Sequence, residues 1–145
     1  MHALAPQIEA AIDIPLLHIA DATADAVHAA GLHTVALLGT RYTMEMGFYR
    51  DRLAETGITA LIPDEPDRTL VHDVIYDELV RGIVSPESRA EYLRIIDALV
   101  ERGAEGVVSG CTEIELLVHE GDLDVPLFPT AKLHALAAVE VALAE

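Results

Sequence analysis

Short apolar runs that end in glycine or proline alternate along this chain with stretches of helical spacing, and that alternation narrows what it can fold into. Val35-Ala36-Leu37-Leu38 runs into Gly39-Thr40, Ile58 to Ile62 is broken by Pro63, and Gly106-Val107-Val108-Ser109 delivers Gly110-Cys111-Thr112-Glu113. Runs this short and this apolar read as strands buried on both faces. Between them, Val71, Ile75, Leu79 and Val80 keep helical spacing. Tyr92, Ile95, Ile96, Leu99 and Val100 then mark one helix face at i, i+3, i+4, i+7 and i+8. Strand and helix in alternation predict an α/β fold, a parallel sheet flanked by helices.

The remaining elements are read from the same signals. Residues 4–12 read as a short helix closed by Asp13-Ile14-Pro15, and Leu16-Leu17-His18-Ile19 as a strand. Asp21 or Thr23 is placed to cap a helix ending near Ala30 and Gly31. One helix is expected from Thr43 to Gly57, and another between Ser88 and Gly103. A short helix after Glu113, a strand around Val125 to Phe128 and an apolar helix from Ala131 to Ala144 complete the chain.

Composition removes several classes of function. With 145 residues the chain has room for about one domain, and with 52% hydrophobic but only 4% aromatic residues its core must be aliphatic. A net charge of −16, from 9 basic against 25 acidic residues, would repel nucleic acid and anionic lipid. No apolar run approaches the roughly 20 residues that span a bilayer. The start, Met1 to Gln7, lacks a basic stretch followed by an apolar one, so a cytoplasmic protein is expected. One cysteine rules out an internal disulfide and a multi-cysteine metal site. The seven histidines show neither H-E-x-x-H spacing nor a cysteine partner at metal-site spacing, so no metal is expected. His134, on an apolar helix, reads as structural, and Asp64-Glu65-Pro66-Asp67 as a solvated turn.

Ligands of open α/β sheets gather at the carboxyl ends of the strands. Gly39-Thr40-Arg41-Tyr42-Thr43 and Gly110-Cys111-Thr112-Glu113 both sit there, each joining a glycine to hydroxyls and to the N–H groups of a helix start. That combination suits a carboxylate. At a helix start, Cys111 is expected to have its thiol pKa lowered toward neutrality, where it can take or give a proton at carbon. The plainer assignments stand beside these: Cys111 as a small buried apolar residue, and Thr40 and Thr43 as helix caps.

The ordered series Leu37-Leu38-Gly39-Thr40-Arg41-Tyr42-Thr43-Met44, Phe48-Tyr49, Ile75-Tyr76-Asp77-Glu78-Leu79, Ser88-Arg89, Gly103-Ala104-Glu105-Gly106-Val107 and Gly110-Cys111-Thr112-Glu113 resembles the aspartate/glutamate racemase family, most closely its aspartate-racemase branch. Asp13 to Asp21 fits the same pattern. The resemblance implies a cofactor-independent enzyme of two pseudo-symmetric domains, each giving one cysteine to a site between them. One thiolate removes the Cα proton of a small amino-acid substrate and the other thiol returns a proton on the opposite face. Cys111 matches the second-domain cysteine, Thr112 the neighbour that helps hold substrate, and Thr40 and Thr43 the positions that bind its carboxylate.

Two departures from the family pattern shape the expectation. Met1-His2 falls where a C-N-T-x-H-like stretch with the first cysteine should end, so the resemblance implies a shortened form. Residues 1–15 would then be the last helix of an absent first domain, 16–128 the racemase-like domain, and 129–145 a helix that packs back on the absent one. Pro129-Thr130 also stands where the family tends to have Asp-Thr. Four outcomes stay open: a racemase written short, a homodimer that sets two copies of Cys111 across one cleft, a single-thiol reaction of the related hydantoin racemases and decarboxylases, and a non-catalytic ligand- or partner-binding remnant.

Overall fold

Four short strands, Thr34–Leu38 (β1), Thr59–Leu61 (β2), Val107–Ser109 (β3) and Leu127–Pro129 (β4), lie parallel in the order β2-β1-β3-β4. The structure is a computed structural model that describes residues 2–144. Ala36 stands opposite Val107 and Leu38 opposite Ser109, so β1 and β3 end side by side. Alternate residues of β1 feed two cores, as strand geometry requires. Ala36 and Leu38 join Val107 on one face, while Val35 and Leu37 join Val108 and Phe128 on the other.

Seven α-helices among the described residues cover the sheet: Ala5–Glu9 (α1), Ile19–Ala29 (α2), Arg41–Glu45 (α3), Gly47–Glu55 (α4), Asp67–Asp77 (α5), Pro86–Glu101 (α6) and Thr130–Leu143 (α7). The first core takes Val71, Val74 and Ile75 from α5 and Tyr92, Ile95, Ile96 and Leu99 from α6. The second takes Ala20, Ala24 and Val27 from α2 and Tyr49 and Leu53 from α4. The helical face read at Tyr92, Ile95, Ile96 and Leu99 is buried, as are Val71, Ile75 and Leu79 of the earlier one, whereas Val80 lies in a 3₁₀ turn past α5 and is 51% exposed. Ser85 rather than Ser88 caps α6, its Oγ accepting from the Ser88 N–H at 3.0 Å. Gly103, at φ +104°, turns the chain out of α6 in a conformation that a side chain would resist.

Four expectations need correction. Residues 16–19 form no strand: His18 caps α2, its Nδ1 accepting from the Ala20 N–H at 3.1 Å, and Ile19 is already helical. The Leu17 carbonyl accepts from His134 Nε2 at 2.9 Å, so a side chain of α7 does what a neighbouring strand would have done. Neither Asp21 nor Thr23 caps that helix. Asp21 instead binds Arg52 through two bonds of 2.7 and 2.8 Å, and Thr23 Oγ1 donates to the Ile19 carbonyl at 2.8 Å.

The single helix expected from Thr43 is two helices, parted at Met46, whose backbone is extended at φ −77° and ψ 133°. The break has a packing reason. Met44 enters the first core and Tyr49 and Leu53 the second, so the chain crosses from one face of the sheet to the other between them. The acidic stretch 64–67 is also more than a solvated turn. Asp67 pairs with Arg94 at 2.6 and 3.0 Å and ties α5 to α6, and the Glu65 carboxylate accepts from the Thr69 N–H at 3.1 Å.

Candidate active site

The connection after β1 leads to β2 on one side, and that after β3 leads to β4 on the other. Their carboxyl ends therefore flank a topological switch point, where open α/β sheets bind ligands. Gly39-Thr40 leaves β1 there and Gly110-Cys111 leaves β3. The two loops press together. The Gly110 N–H donates to the Leu38 carbonyl at 2.7 Å, carrying the ladder one step past the strand. A Cβ on Gly110 would lie 2.9 Å from that carbonyl oxygen and 2.9 Å from Thr43 Cγ2. Only glycine fits so close an approach.

Thr40 and Thr43 are both half-buried, and their hydroxyl oxygens stand 3.4 Å apart. Thr40 occupies the N-cap position of α3, yet its side chain makes no capping bond. The N–H groups expected to be free at this helix start are partly committed. Arg41 N–H donates to His72 Nδ1 at 3.1 Å and Thr43 N–H to the Thr40 carbonyl at 2.9 Å. Arg41 also reaches Thr69 Oγ1 at 3.0 Å, so its backbone and side chain both fasten this loop to α5. Nothing in the sequence pattern pointed to His72, which lies 31 residues away.

Cys111 is half-buried and makes no disulfide. Its Sγ donates to Glu113 Oε2 at 2.8 Å, and the same oxygen accepts from Thr112 Oγ1 at 2.9 Å. The thiol is succeeded by a five-residue 3₁₀ turn, Thr112–Leu116, too short to develop the dipole of a full helix. The expected lowering of the thiol pKa is thus reversed: burial, then the Glu113 carboxylate, push it up to about 12. The Glu113 backbone N–H favours the thiolate but is outweighed. Glu113 itself is held below the usual carboxylate range, first by the thiol it accepts from. In the free site the pair is a neutral thiol donating to a carboxylate.

Behind the thiol sits Tyr92, wholly buried, its hydroxyl donating to the Val71 carbonyl at 2.8 Å. Burial, and next the nearness of Cys111, push its ionisation far up, so it is a fixed neutral wall. On the β4 side, Thr130 Oγ1 donates to the Ser109 carbonyl at 2.9 Å, securing the end of β3. Among the described residues no group of three or more His, Cys, Asp or Glu side chains is arranged to hold a metal ion. None of their helices is long and apolar enough to cross a membrane.

A parallel sheet with a thiol–carboxylate pair and two threonines at its switch point belongs to the α/β class whose strand ends bind small ligands. The Asp/Glu/Hydantoin racemase family model matches residues 1–138, and the chain belongs to that family. A protein of Yersinia pestis provisionally described as an Asp/Glu racemase is 51% identical and superposes with a TM-score of 0.96, over 99% of this chain and 63% of its own. An aspartate racemase homologue of Pyrococcus horikoshii is 31% identical with a TM-score of 0.91, over 97% of this chain and 62% of its own. The Picrophilus torridus aspartate racemase, at 23% identity and a TM-score of 0.70, covers 86% of this chain and 52% of its own and shares the fold. An uncharacterized protein from the pnlA 3′ region of Pectobacterium carotovorum subsp. carotovorum is 30% identical over 105 residues, 72% of this chain and 69% of that protein. The chain therefore spans less than two thirds of the first two structural relatives.

Proposed function

We propose that this chain supplies one face of the site of a cofactor-independent amino-acid racemase acting on aspartate or glutamate. Cys111 exchanges a proton at the substrate Cα, while Thr40, Thr43 and Thr112 hold the substrate through its carboxylate. Residues 16–128 form the racemase domain, and residues 1–15 and 129–145 are the segments that would lie against a further domain. The observation that carries this reading is the place of the chain's one cysteine. It stands at the switch point beside two threonines, hydrogen-bonded to a carboxylate at 2.8 Å. Membership of the racemase family and the structural likeness to an aspartate racemase homologue favour amino-acid chemistry on this scaffold.

Inversion needs an acid/base group on each face of Cα, and one cysteine provides one. The second comes from further protein or from a second copy of the chain that turns its own Cys111 to the same cleft. The test is deuterium exchange. The chain is incubated in D₂O with L-aspartate, and separately L-glutamate, while the Cα–H signal is followed by NMR. Exchange is expected in the parent and about 10²-fold less of it in Cys111→Ser. Since the thiol ionises at about 12, proton removal should speed up about tenfold per pH unit between pH 7 and 10. No exchange of either substrate in a folded sample overturns the reading.

A further inference from the structure

The motif that carries Cys111 also carries a carboxylate whose part in the reaction the family fold alone does not state. We propose that Glu113 is a positioning residue: its Oε2, within hydrogen-bonding reach of both Cys111 Sγ and Thr112 Oγ1, keeps the thiol aimed and, in the resting site, loaded with its proton. The inference rests on the proposed racemase chemistry, and its geometry is specific. One carboxylate oxygen gathers two donors, Sγ at 2.8 Å and Oγ1 at 2.9 Å, from successive residues of one turn. A carboxylate can only accept, so the sulfur must be the donor of that bond.

The other titratable and charged groups around the sulfur do not undo this arrangement. Tyr92 approaches from α6, but its proton is committed to the Val71 carbonyl at 2.8 Å. Glu78 accepts from Ser88 Oγ at 2.6 Å and acts on Tyr92 rather than on the sulfur. Burial first, and then Glu113 through its hydrogen bond and its charge, disfavour a thiolate. The step balances simply. When a base on the far face has taken the Cα proton, the carbanion pair takes the Cys111 proton to form the inverted C–H bond, and the S–H electron pair stays on sulfur as a thiolate. Water then restores the proton. The thiolate is formed against a nearby carboxylate, so reprotonation is favoured and the acid is reset. In the reverse direction, and in the D₂O exchange, the small ionised fraction of Cys111 takes the Cα proton and passes it to water.

Thiol alkylation measures this hold without any substrate. Iodoacetamide is reacted with the folded parent and with Glu113→Gln across pH 7 to 11, with thermal midpoints recorded in parallel. In the parent the rate should climb throughout this range without levelling off. In Glu113→Gln the inflection should fall by a unit or more. At pH 8 that multiplies thiolate about tenfold, and after the loss of nucleophilicity at lower pKa the rate should rise at least about threefold. An unchanged profile in a variant with an unchanged thermal midpoint overturns the proposal. Should Glu113→Gln fail to fold, the parent decides alone: an inflection at or below pH 9 overturns it, and one well above supports it. A shifted profile with no Cα exchange in D₂O would leave the hold of Glu113 standing and sink the racemase reading instead.

Discussion

Gly110 shows how little room the site leaves for substitution. Its backbone runs between the Leu38 carbonyl and the Thr43 methyl, and a Cβ would meet each at 2.9 Å. Thr43 also lies close to Gly39, where an added Cβ would meet Thr43 Cβ at 3.1 Å. Gly110→Ala is therefore expected to cost about 1–3 kcal/mol, the usual penalty of overpacking, and to push the Thr43 and Cys111 loops apart. Urea denaturation would give the stability, and alkylation of Cys111 would report the loosened loop as a faster reaction. The glycine before Cys111 was legible in the sequence as a point of close approach. Its partner was not, because Thr43 lies far earlier in the chain and meets it only through strand pairing.

Among the elements, the join between α2 and α4 rests on a fork-to-fork pair. Arg52 Nε and Nη2 donate to the two Asp21 oxygens at 2.7 and 2.8 Å. Such bidentate pairs outlast ordinary surface contacts, though both side chains remain about a third exposed. Asp21→Asn should cost about 1 kcal/mol at pH 6. Its pH dependence has a fixed sign. The Arg52 hydrogen bond holds the Asp21 carboxyl below its ordinary value, so the unfolded chain binds the proton first as pH falls. The contribution is complete above the unfolded value of about 3.9 and disappears as pH falls through the lower folded one. The gap in urea midpoint between parent and Asp21→Asn should hold from pH 7 to 5 and close below pH 4. A gap that widened in acid would contradict the pairing.

At the scale of the whole molecule, α7 carries apolar residues on more than one face but is covered on one side only. It lies along α2, with Leu133 against the second core. Leu136, Val139, Val141 and Leu143 are 52–76% exposed. Leu133→Ala should cost about 1–2 kcal/mol, because it strips partly buried methyl groups from that core, whereas Val139→Ser should stay within about 0.5 kcal/mol. Thermal unfolding of the two variants would decide it, and equal costs would mean that Val139 is covered in solution.

The alternation of short apolar runs with helical spacing determined the parallel sheet, its helices and the strand ends where Thr40 and Cys111 emerge. Those features are local, because each strand or helix face is written in neighbouring residues and burial enforces the period. The tertiary structure decided what local pattern does not encode. Leu16 to Ile19 had the composition of a strand, but His18 caps the helix that starts at Ile19 and His134, from near the other end of the chain, takes the Leu17 carbonyl. The helix from Thr43 carried only Gly47 as a weak point, and its break follows from Met44 and Tyr49 being claimed by opposite faces of the sheet. The state of Cys111 turned on the same kind of fact. A helix start would have lowered its pKa, but a short 3₁₀ turn offers little dipole, and burial and then the carboxylate of Glu113 raise it. Ionisation depends on which groups surround the sulfur and how much water is left there, and only the folded chain sets both.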